Sequence, residues 1–324
     1  MSTNKPRFFF PATQSVSDRV GELFSFTWSS YAGLRELWWQ ARGFQAQFPT
    51  VKIKEIEDKF FSVPKVPGGI DLKKVILDRD WEKHEYEFSK SLIFGGCTLY
   101  ESWAESVCKS IFATAMAGKF AKAIQFPIDP LKPAPNGYMK VISAANANAS
   151  AIMKSEIFPT VSSASSNCWA TANEHLIAYR YFKECRNSMI HSSGCATPEV
   201  VAAHAALKAV QTNNPSPYRH NFDLPEPTLG EEITLSLRDA TLFVTVIRRL
   251  IHTFDAALCV HKSAEKIALD RVNLTRSKGS KWHSLPAEKA KLEARVQRLL
   301  SAAKIPDAQS IGKITSWLKA SGAL

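Results

Sequence analysis

The chain has 324 residues, of which 45% are hydrophobic, and a formal net charge of +11 at pH 7. This length and composition exclude a small scaffold held together by disulfides or metal, and they predict a globular protein. The apolar runs are too short for a membrane span, and the opening apolar patch is too short for a signal peptide. We therefore expect a cytoplasmic protein that has no membrane partner.

Cysteine spacing bears on metal binding and on redox state. The six cysteines form no C-x-x-C pair and no His/Cys cluster at zinc spacing. We therefore expect reduced thiols, no metal site and no other cofactor.

Most of the positive charge lies in the last part of the chain. Residues 261–324 hold 13 basic and 5 acidic side chains, which accounts for +8 of the total of +11. Such a basic segment is typical of a polyanion partner, because each neutralised phosphate releases condensed counterions. The alternative is a solvated, lysine-rich helical tail.

Helical periodicity dominates the chain from its start. Residues 18–42 repeat apolar side chains at steps of three and four, which predicts an amphipathic helix, whereas residues 51–61 are compatible with a strand or a helix. In the unit that opens near Trp81, apolar residues from Leu92 to Ile111 predict a helix of about six or more turns, with Ser89 or Ser91 as an early cap. Gly95 and Gly96 inside it indicate a close approach to a neighbouring helix, since glycine is otherwise unfavourable there.

The second half continues this pattern. Residues 167–192 predict a helix that ends at or just past His191, with Gly194 and Pro198 as terminators. Further helices are predicted over 198–210, 232–272, 286–303 and 313–318. Proline-rich breaks fall at 64–69, 127–137 and 215–230.

We therefore expect a mainly α protein made of three segments. Residues 1–80 form an amino-terminal helical or mixed extension, residues 81–272 a helical bundle, and residues 273–324 a basic helical tail.

The common enzyme signatures are missing from the sequence. It contains no P-loop, no G-x-G-x-x-G after a strand, no H-E-x-x-H, no G-x-S-x-G and no EF-hand loop. One segment remains, in which Asn187 directly follows Arg186 and His191 comes four residues after the asparagine.

These residues resemble the R-x(4-6)-H motif of the HEPN superfamily, in the form where asparagine follows the arginine. The resemblance covers about residues 85–260, and it implies a helical bundle that dimerises so that two motifs face each other. Active members of that family cut RNA without metal. Carried over to this chain, the resemblance implies Arg186, Asn187 and His191 as the catalytic residues of each subunit.

The chemistry of these side chains is consistent with that implication. Asn187 and His191 share a helix face, so the amide could hold the imidazole in one tautomer. Histidine can accept a proton from a ribose 2′-hydroxyl or donate one to the leaving 5′-oxygen. Arg186 lies roughly 140° around the helix from His191, but its long guanidinium could stabilise the extra charge of the transition state. Because one chain offers one such histidine, we expect a homodimer.

Other residues are less specific. Arg79 and His84 repeat the spacing without the asparagine, and we interpret that match as chance. Glu101 and Glu105 on the first long helix, and Glu184 beside the motif, are either RNA-positioning groups or solvated side chains. The residues predicted to bind RNA are Lys262, Lys266, Arg271, Arg276, Lys278 and Lys281, with Trp282 and His283 beside them.

The sequence therefore predicts an endoribonuclease that cleaves by 2′-hydroxyl attack. The resemblance implies a toxin or an antiviral defence effector, with an antitoxin or regulatory protein as a possible further partner. The alternative is a non-catalytic HEPN-like helical module that binds RNA or a partner protein. A helical scaffold without a nucleic-acid role is the third reading, and it predicts no salt-dependent RNA binding.

Overall fold

The computed structural model describes residues 8–60, 69, 71, 73–125, 137–213, 217, 218, 220–279, 282 and 284–324. Within these ranges the chain is mainly helical and has two isolated β-bridges but no strand, which confirms the predicted mainly α class. The helices are α1 (Pro11–Gln47), α2 (Ile53–Phe60), α3 (Trp81–Ile111), α4 (Thr114–Gln125), α5 (Gly137–Ala147), α6 (Phe158–Ser162), α7 (Ala172–His191), α8 (Pro198–Asn213), α9 (Leu237–Leu258), α10 (Lys262–Ser277), α11 (Lys289–Ala302) and α12 (Ile311–Ala320). None of these helices combines the length and the apolar character that crossing a bilayer requires. Most of the predicted breaks at 64–69 and 127–137 lie outside the described residues.

The centre of the molecule is built from α3, α7 and α9. Helix α3 packs against α1, α4 and α9, while α7 packs against α8 and α9. The main hydrophobic core extends from Phe9 to Ala323 and so includes residues of all three predicted segments. A small second core, formed around Ala41, Ile56 and Ile76, lies within the first 80 residues. The predicted boundary at residue 81 coincides with the start of α3, but the three segments do not have three separate main cores.

Two adjacent glycines allow α3 to approach its neighbours closely. A Cβ atom added at Gly95 would lie 2.8 Å from Leu23 Cδ2 of α1, and one at Gly96 would lie 3.0 Å from Ile247 Cδ1 of α9. The close approach predicted from these glycines is confirmed. It explains why the helix tolerates two residues that each cost roughly 1 kcal/mol relative to alanine.

We expect Gly96→Ala to lower the free energy of unfolding by about 1–2 kcal/mol, because overpacking a fixed core outweighs the gain in helix propensity. The new methyl group would meet Ile247, Phe243 and Val244, all of them fully buried. The matched control is Gly118→Ala in α4, where an added Cβ meets nothing within 4 Å. Urea unfolding should show the control stabilised by up to about 1 kcal/mol. A stabilised Gly96→Ala would contradict the close packing.

The prediction of a single long helix over residues 232–272 is wrong. The chain forms α9 and α10 instead, separated by a short break at Cys259–His261. The break is made by tertiary pairing: Val260 O accepts from Ser150 N at 2.8 Å, and Lys262 N donates to Asn148 O at 2.8 Å. His261 then caps α10 by accepting from Ser263 N at 3.1 Å. Residues 148–150 are distant in sequence, so periodicity alone could not reveal the break.

A buried aspartate holds the amino-terminal segment against α9. The Asp255 carboxylate accepts hydrogen bonds from the backbone N–H of Phe9 at 2.7 Å and of Phe10 at 3.0 Å. Its side chain is fully buried. Burial raises the pKa of Asp255 to about 6. The hydrogen bond from the Thr13 side chain, the two N–H donors and the nearby Arg271 act to lower this pKa but do not outweigh burial.

Arg271 of α10 also holds the amino-terminal segment in place. Its guanidinium donates to Phe9 O at 2.7 Å, to Ala303 O at 3.0 Å and to Lys304 O. One side chain therefore joins the segment before α1 to the segment after α11. We refer to Asp255 and Arg271 together as the terminal clamp.

Candidate active site

His191 is the last residue of α7, and its side chain is exposed. The helix ends where Ser192 N and Gly194 N both donate to Ser188 O, at 2.7 and 3.2 Å. Ser193 and Gly194 have φ angles of 53° and 83°, a conformation that glycine adopts without strain. The predicted end of this helix at or just past His191 is confirmed.

The turn after His191 is anchored to a distant part of the chain. Ala196 N donates to Glu231 O at 2.8 Å, and Ile233 N donates to Gly194 O at 2.9 Å. The Ser188 hydroxyl also donates to Cys195 O inside the turn. Since both sides of the turn are held by backbone hydrogen bonds, His191 is presented from a fixed backbone.

Arg186 and Asn187 belong to a half-buried polar network along α7. Arg186 Nη1 donates to Asn187 Oδ1 at 3.2 Å, and Asn187 Nδ2 donates to Glu184 Oε2 at 3.4 Å. Glu184 also forms an ion pair with Arg180 at 2.6 Å. The Asn187 amide thus orients Arg186 and makes no hydrogen bond to His191, so the interpretation that it fixes the imidazole tautomer does not hold in this structure.

The ion pair between Lys183 and Glu101 links α7 to α3. Lys183 Nζ lies 2.6 Å from Glu101 Oε1, and the lysine side chain is only 4% exposed. Glu101 is therefore engaged with a lysine that the sequence analysis did not single out. Nothing in the sequence singled out this lysine, because Glu101 lies 82 positions away along the chain. Glu105, the other glutamate considered, is exposed and pairs with Lys109 at 3.4 Å.

The α3–α7 interface near Arg186 holds an unreactive thiol. Burial raises the pKa of Cys97 to about 12, and Glu101 raises it further, while Lys183 and Arg186 act in the opposite direction. A thiol with that pKa stays protonated at neutral pH and is a poor nucleophile.

The amino-terminal half of α3 contributes a tyrosine and a lysine to the same region. Tyr86 Oη would lie 3.9 Å from a Cβ atom at Gly194. Lys90 Nζ lies 5.2 Å from the centroid of the Tyr86 ring and forms an exposed ion pair with Glu87 at 2.9 Å. Burial raises the pKa of Tyr86 to about 12, so its phenol remains a hydrogen-bond donor. The sequence analysis missed both residues, because nothing in the sequence places them near Gly194.

The second R-x(4-6)-H match serves the fold. His84 is buried, and its Nε2 lies 2.8 Å from Val75 O, which links α3 to the turn before it. Burial lowers the pKa of His84, and Arg79 pairs with Glu87 at 3.5 Å. These contacts support the interpretation of this match as chance.

The basic residues predicted to bind RNA differ in their surroundings. Lys262, Lys266 and Lys278 have exposed side chains, whereas Lys281 lies outside the described residues, as does His283. Trp282 is buried, with the guanidinium of Arg295 5.5 Å from the centroid of its ring, so it offers no exposed stacking surface.

Arg271 and Arg276 have their guanidinium groups committed to backbone carbonyls. Arg271 belongs to the terminal clamp, and Arg276 Nη1 donates to Ala323 O at 2.7 Å. Both residues therefore stabilise the packing of the carboxyl-terminal segment. Their guanidinium groups are therefore not part of the exposed basic surface of α10.

The exposed lysines of α10 and His191 lie toward opposite ends of α3. Ser263 Oγ donates to Ile111 O at 3.0 Å, which places the start of α10 at the end of α3. Gly194, by contrast, lies near Tyr86. At a rise of 1.5 Å per residue, Tyr86 and Ile111 are about 37 Å apart along the axis of α3. The structure therefore does not bring the two predicted groups of site residues together.

Comparisons with protein-family models, with curated proteins and with solved structures gave no match. Among the described residues, no group of three or more His, Cys, Asp or Glu side chains is placed to hold a metal ion. All six cysteines are free thiols.

Proposed function

We propose that the protein is an endoribonuclease of the HEPN type, which cleaves RNA without a metal ion and uses Arg186, Asn187 and His191. The observation on which the proposal rests is the exposure of His191 at the anchored end of α7, with the Arg186 guanidinium oriented by Asn187 just before it. An exposed imidazole and a held guanidinium are the groups that phosphodiester cleavage by a neighbouring hydroxyl requires.

In the proposed reaction, one His191 imidazole accepts the proton of the ribose 2′-hydroxyl. The 2′-oxygen then forms a bond to phosphorus, and the bond between phosphorus and the 5′-oxygen breaks. A second imidazole donates a proton to that departing oxygen. The products are a 2′,3′-cyclic phosphate and a 5′-hydroxyl, while Arg186 stabilises the charge on the phosphoryl oxygens.

The need for two imidazoles leads to the proposal of a homodimer. Each chain supplies one His191, so the base and the acid come from two copies that face each other. Ile190, which directly precedes His191, is 47% exposed and offers an apolar contact for the second copy. A role as a toxin or defence effector, controlled by a partner protein, is part of this proposal and derives from the family resemblance.

The test is incubation of the pure, full-length protein with transfer RNA and messenger RNA in the presence of EDTA. We expect cleavage that continues in EDTA and yields 2′,3′-cyclic phosphate ends, which periodate resistance and mass spectrometry detect. Cleavage that requires added magnesium would contradict the proposal, because the metal would then supply the nucleophile or the charge stabilisation.

A non-catalytic RNA-binding module is the second candidate, and one observation favours it. Lys262 and Lys266 are exposed at the start of α10, near the end of α3 opposite His191, so a basic surface there could bind RNA without engaging the motif. This candidate predicts salt-dependent RNA binding without any cleavage.

A further inference from the structure

A large cavity lies away from the candidate active site. It has a volume of about 1210 Å³ and is bounded by the first turns of α1, residues 164–166, the middle of α9 and the end of α11. No residue of α7 lines it. Pockets that bind small molecules commonly enclose roughly 300–1,000 Å³, so this cavity is large enough for a nucleotide.

The charged groups around the cavity are mostly cationic. Arg248 and Lys304 line it with exposed side chains, and neither cation forms an ion pair or hydrogen bond with another described residue. Arg271 of the terminal clamp also contributes to the wall. The acidic side chain in the lining is Asp18, which already accepts a hydrogen bond from Gln14 Nε2 at 2.8 Å. The cavity therefore favours an anion.

The start of α1 forms one wall of the cavity, where Pro11 and Gln14 of the first turn line it. Most backbone N–H groups there are already used, because those of Phe9 and Phe10 donate to Asp255 and that of Thr13 donates to Phe10 O at 3.0 Å. Hydroxyl groups that could donate to phosphate oxygens are supplied by Ser15, Ser17, Ser165, Ser166 and Ser301.

An aromatic wall accompanies the cations. The Phe8 ring is half-buried. Its centroid lies 4.2 Å from the centroid of the His252 imidazole, and the two ring planes meet at an angle of 33°. Both residues line the cavity. Flat aromatic surfaces beside cationic groups are suited to a ligand that joins an aromatic base to a phosphate.

We propose that this cavity binds a nucleotide, with its phosphates at Arg248, Lys304 and the neighbouring serine hydroxyls, and its base toward Phe8. The site is separate from His191 and does not depend on ribonuclease activity. Because Phe8 and Lys304 both line the cavity, a bound nucleotide would contact both the segment before α1 and the segment after α11.

Isothermal titration calorimetry of the full-length protein with ADP, adenosine and inorganic phosphate tests this site. We expect saturable binding of ADP, and at least about tenfold weaker binding of adenosine, because a charge-assisted hydrogen bond contributes about that factor or more. Arg248→Ala and Lys304→Ala should each weaken ADP binding by about tenfold. Both side chains are exposed, so the variants should fold normally.

The matched control is Lys119→Ala, an exposed lysine of α4 that does not line the cavity, and it should leave ADP binding unchanged. Absence of saturable ADP binding would overturn the proposal. Equal affinity for adenosine and ADP would also overturn it, as would ADP binding that is unaffected by both cation variants. If ADP fails to bind but a short RNA binds, and if both cation variants weaken the binding of that RNA, the ligand of the cavity is a polynucleotide and not a nucleotide.

Discussion

Replacing His191 with alanine is expected to lower the rate of RNA cleavage by about 10²- to 10⁴-fold, because the proposed reaction loses its proton acceptor and donor. RNA binding should largely persist, since the variant keeps Arg186 and the exposed lysines of α10. The free energy of unfolding should change by less than about 0.5 kcal/mol, because the side chain is exposed. The measurement combines single-turnover cleavage of a labelled RNA with urea unfolding.

His220→Ala is the matched control, since His220 is an exposed histidine outside the motif. It should cleave RNA at the rate of the unaltered protein.

Mixed subunits test the proposed dimer. When the unaltered protein and His191→Ala exchange subunits at equal concentrations, the mixture should retain about a quarter of the original activity, because only dimers with two intact histidines cleave. Unchanged cleavage by His191→Ala would remove the motif from the reaction, and about half the original activity in the mixture would indicate that each chain acts alone.

Asp255→Ala is expected to lower the free energy of unfolding by about 3–5 kcal/mol at pH 7. The change leaves the N–H groups of Phe9 and Phe10 without an acceptor, and it leaves Arg271 without the nearby opposite charge. Asp270→Ala is the control, because Asp270 is an exposed acidic residue of α10 and its loss should cost less than about 0.5 kcal/mol. Urea unfolding measures both, and equal effects would contradict a structural role for the terminal clamp.

The free energy of unfolding should also depend on pH through the carboxyl group of Asp255. Its pKa is about 6 in the folded protein and 3.8 as the reference value, so the folded state binds the proton more tightly. The stabilisation from this group is fully present below about pH 4 and is lost as the pH rises through 6. The stability of the unaltered protein relative to Asp255→Asn should therefore fall by about 2 kcal/mol between pH 4 and pH 7. A difference that rises with pH over this range would contradict the raised pKa.

The helices that could be predicted from the sequence are those whose boundaries are set locally. The end of α7 could be located because Gly194 is in the chain where the helix must stop, and the close approach of α3 because paired glycines have few other uses in a helix. The break between α9 and α10 could not be predicted, because it depends on hydrogen bonds to residues 148–150. Local propensity there favours a continuous helix.

The candidate site was predictable to a similar extent. Exposure of His191 followed from its position at a helix end, whereas the spacing of the side chains did not reveal that Asn187 pairs with Arg186 and Glu184 instead of His191. The Lys183–Glu101 ion pair was not predictable, since the two residues lie 82 positions apart and a lysine on a helix is usually solvated. Nor could charge alone separate the exposed lysines of α10 from Arg271 and Arg276, whose guanidinium groups stabilise the fold.

The terminal clamp determines how the chain can be divided in the laboratory. A fragment restricted to residues 81–272 would keep Asp255 and Arg271 but would lack every backbone group to which the structure bonds them at residues 9, 10, 303 and 304. Such a fragment would leave Asp255 and Arg271 without these hydrogen-bond partners, and it would expose core side chains of α3 and α9 that α1 covers. We therefore expect the motif-bearing bundle to be much less stable than the full chain when it is excised and expressed by itself.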